Sequence, residues 1–501
     1  MSDTPTALPT FAFDNSYARE LDAACTPWPP AAVPAPRWLW FNHALADALG
    51  LDSATLAGDA GLAVFAGNAV PDGAQPVAQV YAGHQFGGFS PRLGDGRALL
   101  LGEVIDRAGQ RRDIAFKGSG RTPFSRGGDG KAAVGPVLRE VLIGEAMHAL
   151  GIPTTRALAA VATGETVYRD QALPGAVLTR VAASHLRVGT LQYFAARREV
   201  PTLRRVAEYA IARHDPELIG RDDRFLALLG AVAERQAQLV ARWMGVGFIH
   251  GVMNTDNMTL SGETIDYGPC AFMEAFDPQT VFSSIDTHGR YAFAHQPGIA
   301  HWNLARLAEA LLPLIDPHPD RAVTLATEVL DRFEPRFAAH WLAVHRAKLG
   351  LNDTGDDEAD RALANDYLQG LHRHGVDFTL GWRGLSALLR GDPLALQRLW
   401  GDDGAAELNA WVERWRARLA AQGEPAAQVA QRLDAVNPLY MPRNHLVENA
   451  LQAASADGDL RPFEQLLAIV QRPFDERAQD ASAALPGTPE QTRGYRTFCG
   501  T

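Results

Sequence analysis

Three residues just past the middle of the chain could handle a metal and a proton together. Asn257 offers an amide oxygen and Asp266 a carboxylate, both hard ligands of the kind that hold Mg²⁺ against phosphate oxygens. Asp256, beside Asn257, adds a carboxylate placed to accept a hydroxyl proton. Upstream, Lys117 closes the apolar run Ile114-Ala115-Phe116, and an ammonium at a strand end can reach phosphate oxygens. Glu140, in the next helical pattern, can hold that lysine by an ion pair, with Glu145 as the competing partner. Arg180 and Arg187 flank Ser184-His185. Two guanidinium groups so spaced converge on a polyphosphate if a turn intervenes, and a surface salt bridge is the equal alternative. The residue types point to metal-assisted chemistry on a nucleoside triphosphate.

The spacing sharpens this. His250-Gly251-Val252-Met253-Asn254-Thr255-Asp256-Asn257, followed by Asp266-Tyr267-Gly268, parallels the protein-kinase pattern H-R-D-x-x-x-x-N with D-F-G. Val252 stands where a kinase keeps its catalytic base and cannot accept a proton; Asp256 has moved in beside the asparagine. His250 reads as a structural, hydrogen-bonded residue. The competing account makes Asn254, Asp256 and Asn257 turn formers only. Retained metal ligands with a displaced base imply ATP chemistry other than ordinary phosphorylation.

Two glycine turns, Leu93-Gly94-Asp95-Gly96-Arg97 and Asp129-Gly130, can aim backbone N–H groups at an anion, although such turns also serve as plain hairpins. Neither standard nucleotide loop is present. Gly130-Lys131 is followed by Ala132 and has Ser125 at the first glycine position of a Walker A loop; Gly118-Ser119-Gly120 meets Pro123 where a dinucleotide fingerprint needs its third glycine.

These residues need positioning elements. Residues 1–75, rich in Ala, Pro and Asp, read as an extension wrapping a later core, with short helices over Tyr17–Cys25 and Pro36–Leu49. Strands are expected over Ala98–Ile105, Asp113–Lys117 and within Ala157–Val181, and a helix over Pro136–Leu150, with Pro136 in its first turn. After Thr190 the chain reads mainly as helix, interrupted from Phe248 to Phe276. Pro313 should end a helix begun at Trp302, and Pro335 should kink or split Arg321–Leu349; Pro425–Val436 is a further helix. The expected fold is α+β, two-lobed and protein-kinase-like: an N-terminal extension (1–75), an N-lobe (76–190), a C-lobe (191–315) and a helical C-terminal region (316–501).

The chain has 501 residues, 47% hydrophobic and 21% charged, with a net charge of −11. That balance suits a globular protein and argues against general nucleic-acid binding. No apolar run approaches a membrane span and no secretory signal is visible, so the expected location is cytoplasmic. Three cysteines, Cys25, Cys270 and Cys499, make neither a disulfide framework nor a Cys-x-x-Cys metal site.

Long segments of the sequence resemble the selenoprotein O family of protein adenylyltransferases: YAGHQFGGFSPRLGDGRALLLGE, DIAFKGSGRTPFSRGGDGKAAVGPVLREVLIGEAMHALGIPTTRAL, SHLRVGT, GFIHGVMNTDNM with IDYGPCAFMEAFDP, NPLYMPRNHLVENAL and RTFCGT. The resemblance implies that ATP binds flipped relative to a kinase, so that AMP passes to Ser, Thr or Tyr hydroxyls of proteins. It assigns the distal phosphates to Lys117, Arg180 and Arg187, with Glu140 orienting Lys117. It places Gly94, Gly96, Arg97, Asp129 and Gly130 around the nucleotide. Asn257 and Asp266 would hold Mg²⁺ or Mn²⁺, Asp266 also facing the nucleotide, and Asp256 would accept the proton. It suggests redox proteins such as glutaredoxins as acceptors, and for bacterial members it adds UMP transfer from UTP and a reversible Cys270–Cys499 disulfide controlling access. Two other functions stay open on the residues alone: a kinase using Asp256 on the γ-phosphate, and a non-catalytic nucleotide-binding scaffold.

Overall fold

The computed structural model describes residues 8–353 and 355–498. Its centre is an eight-stranded antiparallel sheet ordered β1-β3-β6-β7-β10-β9-β2, with β8 pairing on β10. The strands are β1 (Cys25–Pro27), β2 (Arg37–Phe41), β3 (Val77–Gln79), β6 (Ala98–Ile105), β7 (Arg111–Lys117), β8 (Ala132–Ala133), β9 (Arg156–Tyr168) and β10 (Ala172–Ala182). A separate hairpin, β4 (Gly83–Gln85) with β5 (Gly88–Ser90), projects toward the helical half.

The extension does more than wrap. β1 and β2, both from residues 1–75, form the two edges of the sheet. Arg37–Phe41 is therefore a strand, not the start of a helix; only His43–Ala48 is helical, capped by the Asn42 side chain. Trp38, Trp40 and Phe41 are aromatic residues that fit a pleated, half-buried surface better than a helix turn, and they pair with β9 across a bulge.

The sheet is buried on both faces. Along β10, Val177 joins the cluster of Phe11, Leu45 and Phe65, while Leu178 points the opposite way into the cluster of Val137, Leu138 and Val141. This period of two is what a strand imposes. The helix Val134–Ala149 is buried almost all round. One side meets the sheet and the other is covered by the late helices Asn444–Gln452 and Arg461–Val470, through Val447, Leu451, Phe463 and Leu467. A helix apolar on all sides needs such a double cover.

The rest is helical, with Arg224–Gly245, Gln296–Ile315 and Phe333–Leu349 packed together. Pro313 does not end its helix, which runs on to Ile315; the proline ring removes a backbone bond only in the last turn, where two residues remain to be held. Pro319–Leu330 and Phe333–Leu349 are two helices, with Pro335 in the first turn of the second. The C-terminal helices enclose their own core around Tyr367, Trp382, Trp400, Trp411 and Trp415. No helix among the described residues is long and apolar enough to cross a membrane. Between the halves, β11 (Phe248–Ile249) pairs with β12 (Ala271–Phe272) and frames the loop that carries the polar residues of interest.

Candidate active site

Lys117 ends β7 with its ammonium between two carboxylates, 2.6 Å from Glu140 Oε1 and 2.6 Å from Asp266 Oδ1. Glu145 takes a different partner, Arg156, at 2.7 Å. Arg180 lies on the neighbouring β10, opposite Ala115 of β7, and its Nη1 donates to the same Asp266 Oδ1 at 2.9 Å. Asp266 has φ 64, a left-handed conformation uncommon for a residue with a side chain. Burial alone would raise its pKa, but Lys117, Arg180 and Arg187 outweigh burial and hold the carboxyl well below the usual range. Both cations sit on Oδ1, so Oδ2 is the oxygen left for a further ligand.

The loop from His250 is fixed by its own hydrogen bonds. His250 Nε2 donates to Ile265 O at 2.9 Å while Nδ1 accepts from Val252 N at 3.3 Å, which sets the tautomer. Asn257 commits its Nδ2 to Val252 O at 3.1 Å, leaving Oδ1 as its coordinating atom. The hairpin β4–β5 grips the loop from the other side. His84 N donates to Thr255 Oγ1 at 2.7 Å, Phe86 N to Asn254 Oδ1 at 3.0 Å and Gln85 Nε2 to Asp256 Oδ2 at 3.3 Å. A side chain at Gly83 would stand 2.5 Å from Asp256 Oδ1, so this close approach requires glycine. Asp256 Oδ1 is buried and has no hydrogen-bond partner. Burial raises the Asp256 carboxyl to about 6, against the opposing pull of Arg187.

Arg187 opens the helix Val188–Ala196 and is buried. Its Nη1 donates to Asp256 O at 3.2 Å and its guanidinium lies 4.2 Å from the centre of the Tyr81 ring. Arg180 is steadied by His185. Arg180 Nε donates to His185 Nε2 at 3.3 Å, and His185 Nδ1 lies 3.0 Å from Asp113 Oδ2. Burial pushes His185 down to about 4, so the ring is neutral, with its proton on Nδ1 toward Asp113.

A cavity of about 810 Å³ lies between these groups. Gly94, Gly96, Arg97, Lys117, Asp129, Gly130, Glu140, Arg180, Arg187, Asp256, Asn257 and Asp266 all line it. Gly94 and Gly130 have φ of 90° and 70°, and added side chains would fall 2.5 Å from the Phe124 ring and 2.1 Å from Gly120 O. Asp129 is partly committed elsewhere. Its carboxylate accepts from Arg169 at 2.8 and 3.1 Å and from Lys131 N at 2.9 Å, closing its own turn. Cys270 does not line the cavity. It is buried beneath, its Sγ donating to Tyr267 O at 3.2 Å, and burial pushes the thiol up to about 12. The tail docks beside it, Thr497 Oγ1 donating to Pro269 O at 2.6 Å; Cys499 lies outside the described residues.

No cluster of three or more His, Cys, Asp or Glu side chains suited to a metal occurs among the described residues. Asn257 Oδ1 and Asp266 Oδ2 offer one amide and one carboxylate oxygen. That sparse set fits Mg²⁺, which keeps waters and takes further oxygens from phosphates. Gln85, Tyr81, His185 and Asp113 escaped the sequence reading, since their roles arise from contacts with distant segments. The glycines around Gln85 were the one local hint.

A family model described as "Protein adenylyltransferase SelO" matches residues 8–471. The chain is 60% identical to the protein nucleotidyltransferase YdiU of Cereibacter sphaeroides (strain ATCC 17023), over 98% of this chain and 100% of that one. It is 59% identical to the protein of the same name from Chromobacterium violaceum, over 95% and 99%. With the Rhizobium leguminosarum bv. trifolii protein it shares 55% identity over 98% and 97%.

Proposed function

This chain belongs to the SelO family of protein adenylyltransferases, and from that premise we propose that its cleft moves AMP from ATP to protein hydroxyls, with Asp256 as the proton acceptor. The observation that carries the reading is Asp256, a residue lining a cavity otherwise rich in cations, with one carboxylate oxygen, Oδ1, buried and without a partner. Burying such an atom is costly unless a ligand or substrate completes it.

In the proposed reaction the acceptor hydroxyl gives its proton to Asp256. The hydroxyl oxygen bonds to the α-phosphorus as the bond from that phosphorus to the pyrophosphate oxygen breaks. Lys117, Arg180 and Arg187 hold the departing pyrophosphate, whose charge grows in the transition state. Glu140 keeps Lys117 in place. Asn257 and Asp266 would hold a divalent ion, which supplies further neutralisation of the phosphate oxygens. Gly94, Gly96, Arg97, Asp129 and Gly130 would surround the nucleotide. We further infer a kinase-like arrangement in which residues 76–190 and 191–315 form the walls of the cleft, braced by 1–75 and 316–501. Redox-protein acceptors, UMP transfer from UTP with Mn²⁺, and a Cys270–Cys499 bond belong to the same proposal, supported by family membership.

The test uses ATP labelled at one phosphorus at a time. Label from the α-position on protein, with pyrophosphate released, is expected. Label from the γ-position alone would make the protein a kinase, and binding without any transferred label would make it a scaffold.

A further inference from the structure

A second cavity, of about 630 Å³, adjoins the cleft. Phe86 and Ile285 line both, so the two spaces share a wall. Both side chains are also exposed, at 39% and 51%, which is unusual for large apolar residues bordering a polar cleft. Beyond them the groove is lined by His288, Arg290 and His295.

The lining of this groove holds one arginine, Arg290, and one carboxylate, Asp286, and it is the carboxylate that is buried, leaving Arg290 as the charge presented to the open space. Asp286 is the single carboxylate in its lining, and both of its oxygens accept backbone N–H groups, from Arg290 at 2.9 Å and Tyr291 at 2.7 Å. Arg290 is held flat by aromatic rings, its guanidinium 4.9 Å from the centre of Trp302 and 5.8 Å from that of Tyr291. Its Nε is buried and has no hydrogen-bond partner. A carboxylate entering the groove would therefore meet the terminal nitrogens of a guanidinium already oriented on ring faces.

The groove is also registered to the chemistry. Asn254 Oδ1 accepts from Phe86 N on one wall, at 3.0 Å, and from Tyr291 Oη beneath Arg290, at 2.7 Å. Asn254 precedes Asp256 by two residues. One side chain therefore ties the apolar wall, the cationic floor and the base-bearing loop together.

We propose that this groove receives an extended acidic segment of the acceptor protein. A carboxylate seats on Arg290 and an apolar side chain between Phe86 and Ile285, while the neighbouring hydroxyl reaches Asp256. The inference rests on the transferase reading above and adds to it the kind of acceptor: a chain locally unfolded, acidic, and carrying an apolar residue close to its hydroxyl.

Two probes test it. Dephosphorylated casein serves as an unfolded, acidic, hydroxyl-rich acceptor for transfer from α-labelled ATP. A fluorescein-labelled peptide, Glu-Asp-Phe-Thr-Glu-Asp-Leu, and its counterpart with lysine at each acidic position report binding by anisotropy. R290E is expected to lower kcat/KM for casein at least tenfold through KM, with KM for ATP unchanged. R290K, which keeps the charge but loses the planar stacked fork, should fall between wild type and R290E, and I285E, at an exposed position, should repeat the defect should R290E fail to fold. The acidic peptide should bind wild type more tightly than the lysine peptide, and R290E should reverse that order. Equal transfer by wild type, R290E and I285E, or no preference between the peptides, would overturn the groove. Should wild type label no acceptor, the transferase reading fails, and anisotropy alone still decides whether the groove takes acidic chains.

Discussion

Strand β7 anchors two buried ionic networks, one at each end, and they are built differently. Near its start, Asp113 meets Arg213 at 2.7 Å and His185 at 3.0 Å, while the adjacent Glu103 accepts from Arg213 at 3.0 Å, Tyr209 Oη at 2.8 Å and Tyr17 N at 3.1 Å. Every carboxylate oxygen there has a donor. At its end, Lys117 and Arg180 crowd onto one oxygen of Asp266, and Asp256 Oδ1 has no donor. The first network is closed on itself and can only hold the fold together. The second leaves a carboxylate oxygen without a donor and borders open space, so it is unfinished until a ligand arrives. His185 joins the two, touching Asp113 with one nitrogen and Arg180 with the other.

The comparison yields opposite expectations for mutations in the two networks. The largest effect should come from Asp256→Asn. Transfer should fall by about 10²–10⁴-fold, the usual worth of a general base, with the melting temperature preserved and ATP still bound in a titration. Near-normal turnover would take Asp256 out of the chemistry. At the closed end the outcome should invert. Arg213→Met leaves Glu103 and Asp113 without their shared cation and should cost about 3–5 kcal/mol in denaturant unfolding. Folded molecules should still bind ATP. A variant as stable as wild type would show that the closed network is not structural.

Smaller effects probe how the open network is tuned. Lys117→Ala and Glu140→Ala should each impair transfer, and together much less than additively, with a coupling of about 0.5–3 kcal/mol in kcat/KM. Additive losses would separate the pair. A third arrangement of buried charge lies in the C-terminal core. Lys348 is pushed down to about 7 by burial, with its Nζ 4.9 Å from the centre of Trp382 and 5.8 Å from that of Phe378. Between pH 7 and 10.5 the unfolded chain binds a proton that the folded one lacks, so stability should rise with pH across that window. Below pH 7 the full penalty is present. Lys348→Met should flatten this slope and stabilise the protein near neutrality by on the order of 1 kcal/mol, the ring faces having already recovered part of the cost. An unchanged slope in pH-dependent unfolding would place the titration elsewhere.

Much of the cleft was legible in the sequence because its parts are marked by local spacing. Lys117 at a strand end, Glu140 on the next helix, and Asp256, Asn257 and Asp266 around one loop are identified by near neighbours along the chain. Gln85 and His185 were not, because each matters through a contact with a remote segment: Gln85 with Asp256, His185 with Asp113. The choice between Glu140 and Glu145 likewise needed three dimensions, since both lie on one helix and only the fold brings Arg156 to the second. Arg37–Phe41 misled for another reason. A short aromatic run followed by alanines carries too few residues to separate a period of 2 from one of 3.6, and an edge strand half-open to solvent shows weak alternation.

The helix that carries Glu140 is covered by Asn444–Gln452 and Arg461–Val470. A ribosome extrudes Val134–Ala149 long before it makes that cover. Until the late helices emerge, Val137, Leu138 and Val141 present an apolar stripe with nothing over it, the sort of surface that molecular chaperones bind during synthesis. The ion pair between Lys117 and Glu140 thus becomes secure only once those late helices have been made. Chains cut short before residue 444 should be inert and prone to aggregate, so premature release leaves no stray transferase behind.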